Sequence, residues 1–268
     1  MTLALAYPHI DPIAIQLGPF AIRWYAIAYI AGLLSGWRYV KWLVTKSPRA
    51  MREEAVDDFL VWATLGVVLG GRLGYVLFYK PAYYLSHPFE VLAVWQGGMS
   101  FHGGALGVIV AIVLFSRRRG YDLFAVGDVI CCAVPIGLFF GRIANFINGE
   151  LFGRVAPEVT WAMIFPGGGP DPRHPSQLYE AVLEGLVLGL LLLALWRYPR
   201  LRERTGVLAG VFLAGYGIAR IIAELFRQPD AHLGFLFAGV TMGQLLSLPF
   251  VVVGGALVLW RMRVRKPY

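Results

Sequence analysis

Apolar runs long enough to cross a lipid bilayer recur along this 268-residue chain, and they leave few folds open to it. A bilayer core of about 30 Å is crossed by about 20 residues of helix. Such runs are read at roughly 19–40, 58–79, 97–115, 122–147, 177–196, 206–226 and 236–260. Lipid offers no partner to exposed backbone N–H and C=O groups, and the runs are too long for barrel strands, so the spans are predicted to be α-helical. Composition agrees: 58% of residues are hydrophobic, 15% are charged and mean hydropathy is +0.63. An average soluble chain carries about a quarter charged residues. The expectation is an all-α integral membrane protein, one polytopic domain over residues 1–268 with about seven transmembrane helices.

The basic residues set the predicted orientation. Arg38 lies near the end of span one, followed by Lys41, Lys46, Arg49 and Arg52. Arg117, Arg118 and Arg119 follow span three, Arg197, Arg200, Arg202 and Arg204 follow span five, and Arg261, Arg263, Arg265 and Lys266 end the chain. The alternate connections hold only Lys80, Arg154, Arg173 and Arg227. By the positive-inside rule the N-terminus is expected outside, in the periplasm, and the C-terminus in the cytoplasm. The first span is expected to act as its own insertion signal, because no basic segment and small-residue cleavage site precede it. The net charge of +8 sits in clusters between apolar spans, which suits anionic headgroups and argues against a nucleic-acid partner. Cys131 and Cys132 are adjacent and cannot form a disulfide framework. No metal-ligand spacing is present, and no cofactor is expected.

Against this background the segment 141–154, GRIANFINGELFGR, is an energetic anomaly. An ionised residue at mid-bilayer costs at least about 2.5–3.5 kcal/mol, so such groups persist where they face a polar cavity or a ligand. Arg142 and Asn145 share a helical face, Asn148-Gly149 reads as a helix exit, and Glu150 and Arg154 fall in the outer loop. Taken alone, Arg154 reads as a surface residue reaching for headgroups. Tyr216, Arg220, Glu224 and Arg227 line one face of span six, and the bland alternative there is an Arg220–Glu224 pair that neutralises itself.

The expected topology puts Arg23 and Tyr25 at the outer start of span one, His102 in the first turns of span three, and Arg72, Arg142 and Arg220 in the outer halves of their spans. One polar level near the outer face, with no counterpart inside, predicts a one-sided cavity. His102 stands between glycines in GGMSFHGG, which permit close approach or a helix break. His9, His87 and His232 fall in loops without such a setting, and His174 and Glu180 of RHPSQLYE read as structural, with Ser176 as an N-cap. Arg72 either holds a lipid phosphate or bridges helices, and the sequence leaves both open. Arginine grips phosphate bidentately and is never neutral, so arginines gathered at one level predict an anionic ligand, in the membrane plane a phospholipid headgroup. Lys41, Lys46, Lys80 and Lys266 all lie outside the spans, which removes a retinal-binding reading.

These motifs, together with RWY (23–25), GGRLGYVLFY (70–79), GYGIAR leading to ELFRQPD (215–230) and MGQLLSLP (242–249), resemble the prolipoprotein diacylglyceryl transferases over nearly the whole chain. Ala26 stands where the family pattern has glycine. The resemblance implies a multi-pass enzyme of the bacterial plasma (inner) membrane, with its site toward the periplasmic face. It implies transfer of the diacylglyceryl group of phosphatidylglycerol to the lipobox cysteine thiol of a preprolipoprotein, with a thioether formed and glycerol phosphate released. By the same match, His102, Arg142 and Arg220 are expected to be catalytic. Asn145, Glu150, Tyr25, Tyr216, Arg227 and Arg72 are expected to bind the lipid. Both substrates are membrane-bound, so openings between helices toward the bilayer are expected. The competing readings are an anionic-lipid transporter or flippase, which would need polar residues through the inner halves of the spans, and a lipid-binding scaffold.

Overall fold

The computed structural model describes residues 5–8, 10–46, 50–229, 234–236 and 239–264. The expectations for His9, Arg49, His232, Arg265 and Lys266 lie outside the described residues. Along the chain come β1 (Leu5–Ala6), β2 (Ile13–Leu17), β3 (Phe20–Arg23), α1 (Trp24–Lys46), α2 (Glu53–Phe78) and the short α3 (Pro81–Ser86). Two 3-10 turns, Pro88–Leu92 and Val94–Gln96, lead to α4 (Phe101–Arg119), α5 (Leu123–Ile147) and β4 (Met163–Ile164). Helix α6 (Ser176–Glu180), a π-helical stretch (Ala181–Val187) and α7 (Leu188–Trp196) follow one another without a break, before α8 (Pro199–Arg202), α9 (Val207–Glu224) and α10 (Met242–Arg263). Among the described residues, six helices are long and apolar enough to cross a membrane: α2, α4, α5, Ser176–Trp196, α9 and α10. Helix α1, 23 residues long, carries Arg38 and Lys41 in its second half and falls outside that set.

The chain is mostly helical, as expected, and the departures have local causes. Residues 20–23 do not start a helix, because β3 pairs antiparallel with β2 across a turn at Gly18, whose φ is +56°. Arg23 therefore closes a strand, and α1 begins at Trp24. Gly97 and Gly98 take φ values of +81° and +76°, which a right-handed helix excludes, so α4 starts at Phe101. Ser100 caps it by accepting from Gly103 N at 3.2 Å. Thr241 opens α10 with a capping box shared with Gln244. Strands β1 and β4 pair in parallel, Leu5 beside Met163. Pairs this short leave no periodic trace in sequence.

Contacts divide the chain into two compact units, Met1–Tyr39 with Ile130–Tyr268, and Val40–Val129. In the second unit α2 and α4 meet glycine to glycine. A Cβ added at Gly66 would lie 2.6 Å from Gly107 O, and one at Gly70 would collide with Gly103 O. Without a hydrophobic force between helices in lipid, such close backbone approach is what gives a pair its packing energy. Phe59 and Phe115 fill the unit's core, edge to face at 5.3 Å. Two ion pairs, Lys41–Asp57 at 2.9 Å and Arg119–Asp58 at 2.5 Å, lie beyond it. In the first unit α9 and α10 pack in the same way, with Gly210 against Gly254 O and Gly217 against Ser247 O.

Candidate active site

The anomalous segment 141–154 is the end of α5 and the turn beyond it. Gly149, at φ +66°, and Leu151, at φ +57°, turn the chain sharply out of the helix. The last carbonyls of a helix lack internal partners, and here a side chain supplies one. The buried Tyr7 hydroxyl lies 2.5 Å from Phe146 O and 2.8 Å from Ile147 O. The turn folds back so that the exposed Glu150 carboxylate accepts from Asn145 Nδ2 at 2.8 Å and Asn148 Nδ2 at 3.3 Å. Gln177, from the first turn of α6, donates to the Glu150 carbonyl at 2.6 Å.

Beside it lies a network of buried charge. Glu180 and Glu184 are fully buried on the Ser176–Trp196 span. Arg142 Nη2 reaches Glu180 Oε2 at 2.9 Å and Glu184 Oε2 at 3.1 Å. Arg220 Nη1 lies 2.6 Å from Glu180 Oε2, while its Nη2 lies 2.5 Å from Glu224 Oε1. Arg227 Nη1 takes the other Glu180 oxygen at 3.3 Å, and Thr241 donates to Glu224 Oε2 at 2.7 Å. Desolvating any one of these groups alone would cost several kcal/mol, and mutual pairing offsets that cost. The backbone is adapted to the task. The π-helical stretch carries Glu184, and at the next residue a Cβ on Gly185 would meet Phe139 Cα at 2.8 Å, so this span lies hard against α5. Single π turns inside α-helices concentrate at functional sites.

Most of the residues singled out from sequence fall in this first unit. Arg142, Arg220, Glu224 and Arg227 converge, and Asn145 pairs with Glu150. The Arg220–Glu224 pair exists without being self-contained, because Arg220 also holds Glu180. Tyr25 lines an open pocket of 360 Å³ with Arg23 and Tyr29, within electrostatic reach of Arg142 and Glu150. Tyr216 is within reach of Arg220 and Arg142 and sets its ring edge-on to Phe250 at 6.0 Å.

Arg227 is buried against Glu180, and Glu180 is the centre of the network. One expectation needs correcting. Arg154 is a half-buried anchor, donating to Arg227 O and Glu224 O at 2.9 Å each, with its guanidinium over the Phe235 ring. Glu184 and Gln177 were not singled out. A signal for Glu184 was present: a second carboxylate one turn from Glu180 inside a span requires partners.

His102 and Arg72 belong to the second unit. His102 is the second residue of α4, exposed, with Phe101 edge-on at 5.8 Å. The glycines beside it serve close packing on α2, with Gly103 against Gly70. Arg72 is buried, and its guanidinium donates to the carbonyls of Val91 at 2.8 Å, Gly97 at 2.6 Å and Glu90 at 2.5 Å, close to the Tyr84 ring. It clamps segment 90–98 onto α2, just ahead of the helix that carries His102.

Comparison with known proteins decides which family this is. The family model described as prolipoprotein diacylglyceryl transferase matches residues 12–260. The chain belongs to the prolipoprotein diacylglyceryl transferase family. Among its relatives are proteins named phosphatidylglycerol–prolipoprotein diacylglyceryl transferase from Paramagnetospirillum magneticum, Rhodospirillum rubrum and Azospirillum brasilense. The first is 76% identical over 263 residues, 98% of this chain and 98% of the relative. The second is 61% identical, covering 95% of this chain and 93% of the relative, and the third is 60% identical over 96% of each. The transferase match embraces GRIANFINGELFGR, GGMSFHGG and RHPSQLYE, so the buried network lies wholly within the family region.

Proposed function

We propose that this enzyme transfers the diacylglyceryl group of phosphatidylglycerol to the lipobox cysteine thiol of a prolipoprotein. A thioether forms and glycerol phosphate leaves. The observation that carries the reading is the buried pairing of Arg142 and Arg220 with Glu180 and Glu184, in a chain that aligns with this family almost end to end. The carbon–oxygen bond that breaks leaves charge on the phosphate. Donors fixed before the reaction stabilise that charge without reorganising. The carboxylates hold the two guanidinium planes, and each guanidinium has five N–H donors, more than its pairs use. Arg227 completes the cradle, and Asn145, Glu150, Tyr25 and Tyr216 orient the headgroup.

The attacking group is a thiolate, whereas a free thiol has a pKa of about 8.5. His102 is the proposed base, imidazole being the commonest general base among side chains. Arg72 is assigned the helix-bridging role, holding the segment that precedes His102. The site faces the periplasm from the inner membrane, and both substrates reach it from within the bilayer. Purified protein supplied with phosphatidylglycerol and a lipobox peptide is expected to yield the diacylglyceryl thioether. Folded protein that makes none would overturn the reading. In the same assay His102→Gln is expected to be severely slowed, and wild-type rates would remove the histidine from proton transfer.

A further inference from the structure

The buried network is already electrically complete. Arg142, Arg220 and Arg227 oppose Glu180, Glu184 and Glu224. At its edges Glu150 and Arg154 add one charge of each sign. A phosphodiester headgroup arriving here brings a negative charge with no counterpart. Away from water an unbalanced charge is expensive, and a buried carboxylate relieves it most cheaply by taking a proton. Arginine cannot supply the balance, since it stays protonated in proteins.

Geometry selects which carboxylate. Glu180 has both oxygens engaged, Oε1 with Arg227 at 3.3 Å and Oε2 with Arg220 at 2.6 Å and Arg142 at 2.9 Å. Glu224 is also engaged on both, by Arg220 at 2.5 Å and Thr241 at 2.7 Å. Glu184 is different. Its Oε2 accepts from Arg142, but its buried Oε1 has no hydrogen-bond partner among the described residues, and Arg220 Nη1 stands off at 3.6 Å. The charged and titratable groups facing it are Arg142 from α5, Arg220 and Tyr216 from α9, and Glu180 from its own span. A proton on Oε1 breaks no existing bond and weakens the hold of Glu184 on Arg142.

We infer that Glu184 is a positioning residue that takes up one proton as the anionic headgroup binds, releasing the Arg142 guanidinium to the phosphate. The inference rests on the donor-lipid reading of this site. The test uses the full-length protein and a short-chain phosphatidylglycerol, a diester that does not titrate near neutral pH. Calorimetry in buffers of different ionisation enthalpy is expected to show about one proton taken up per lipid bound, with Kd weakening about tenfold per pH unit where Glu184 is ionised in the free protein. Glu184→Gln, which carries the protonated shape permanently, is expected to bind with no proton uptake and a flat pH profile.

Binding by the wild type without proton uptake would overturn the inference while leaving the donor-lipid reading intact. So would a Glu184→Gln protein that still takes up the proton. No binding of phosphatidylglycerol at all would sink the donor-lipid reading itself. Should the variant fail to fold, infrared difference spectra of the wild type keep the question decidable. A protonated-carboxyl band must appear on binding, and its absence would refute the inference.

Discussion

Glu180 gathers guanidinium groups from Arg142, Arg220 and Arg227 onto one carboxylate, the first from α5 and the other two from α9 and the turn just beyond it. A carboxylate accepts on both oxygens, and three planar donors fit around it where three ammonium groups would compete as point charges. Charge in this protein is thus organised by shape as much as by sign. His174 offers a separate test at the same scale. Its ring lies 5.2 Å from Phe226 and 5.8 Å from Tyr179, with Nδ1 3.1 Å from the Tyr179 hydroxyl. Burial holds its pKa below the ordinary histidine range. The unfolded chain titrates at about 6.5, so below that value it binds more protons than the folded protein, and stability falls as pH falls toward the lower folded pKa. The thermal midpoint is expected to drop between about pH 7.5 and 5.5, and His174→Phe should lose part of that dependence. An unchanged profile in the variant would remove His174 as the cause.

At the level of elements, the α2–α4 pair depends on bare backbone. A Cβ at Gly107 would run into Gly66 O, a main-chain atom that cannot swing away. Gly107→Leu is therefore expected to force the helices apart, costing about 1–3 kcal/mol or more. Gly137 of α5 has open space where its Cβ would be, and Gly137→Ala should be neutral or slightly stabilising, as alanine favours helix. Thermal unfolding of the two variants in detergent checks both, and equal midpoints would refute the packing account. The elements differ in how far sequence reveals them. Apolar length locates every long helix, because lipid imposes it on the chain continuously. The start of α4 moved by four residues, because two glycines in the left-handed region are invisible to hydropathy. The site was half legible: Arg142 and Arg220 announced themselves as charges in apolar surroundings. Two carboxylates one turn apart in a span signalled a need for partners, but not which ones, because Glu180 and Glu184 meet the arginines only after separate spans pack. Arg154 was hidden more deeply still, since its partners are carbonyls, which every residue carries.

For the whole molecule the positive-inside reading is a proposal with a direct test. With the basic clusters inside, a cysteine placed at Arg118 is expected to react with an impermeant thiol reagent only after cells are opened. One placed at Glu158 should react in intact spheroplasts, both in a background lacking Cys131 and Cys132. The reverse labelling pattern would overturn the orientation. The Tyr7 clasp also sets a timetable. Its partner carbonyls are 139 and 140 residues downstream. A ribosome adding about 5–20 residues per second needs about 7–28 s to make them. For that interval Tyr7 has no helix end to clasp, and the contact closes only once α5 has been made.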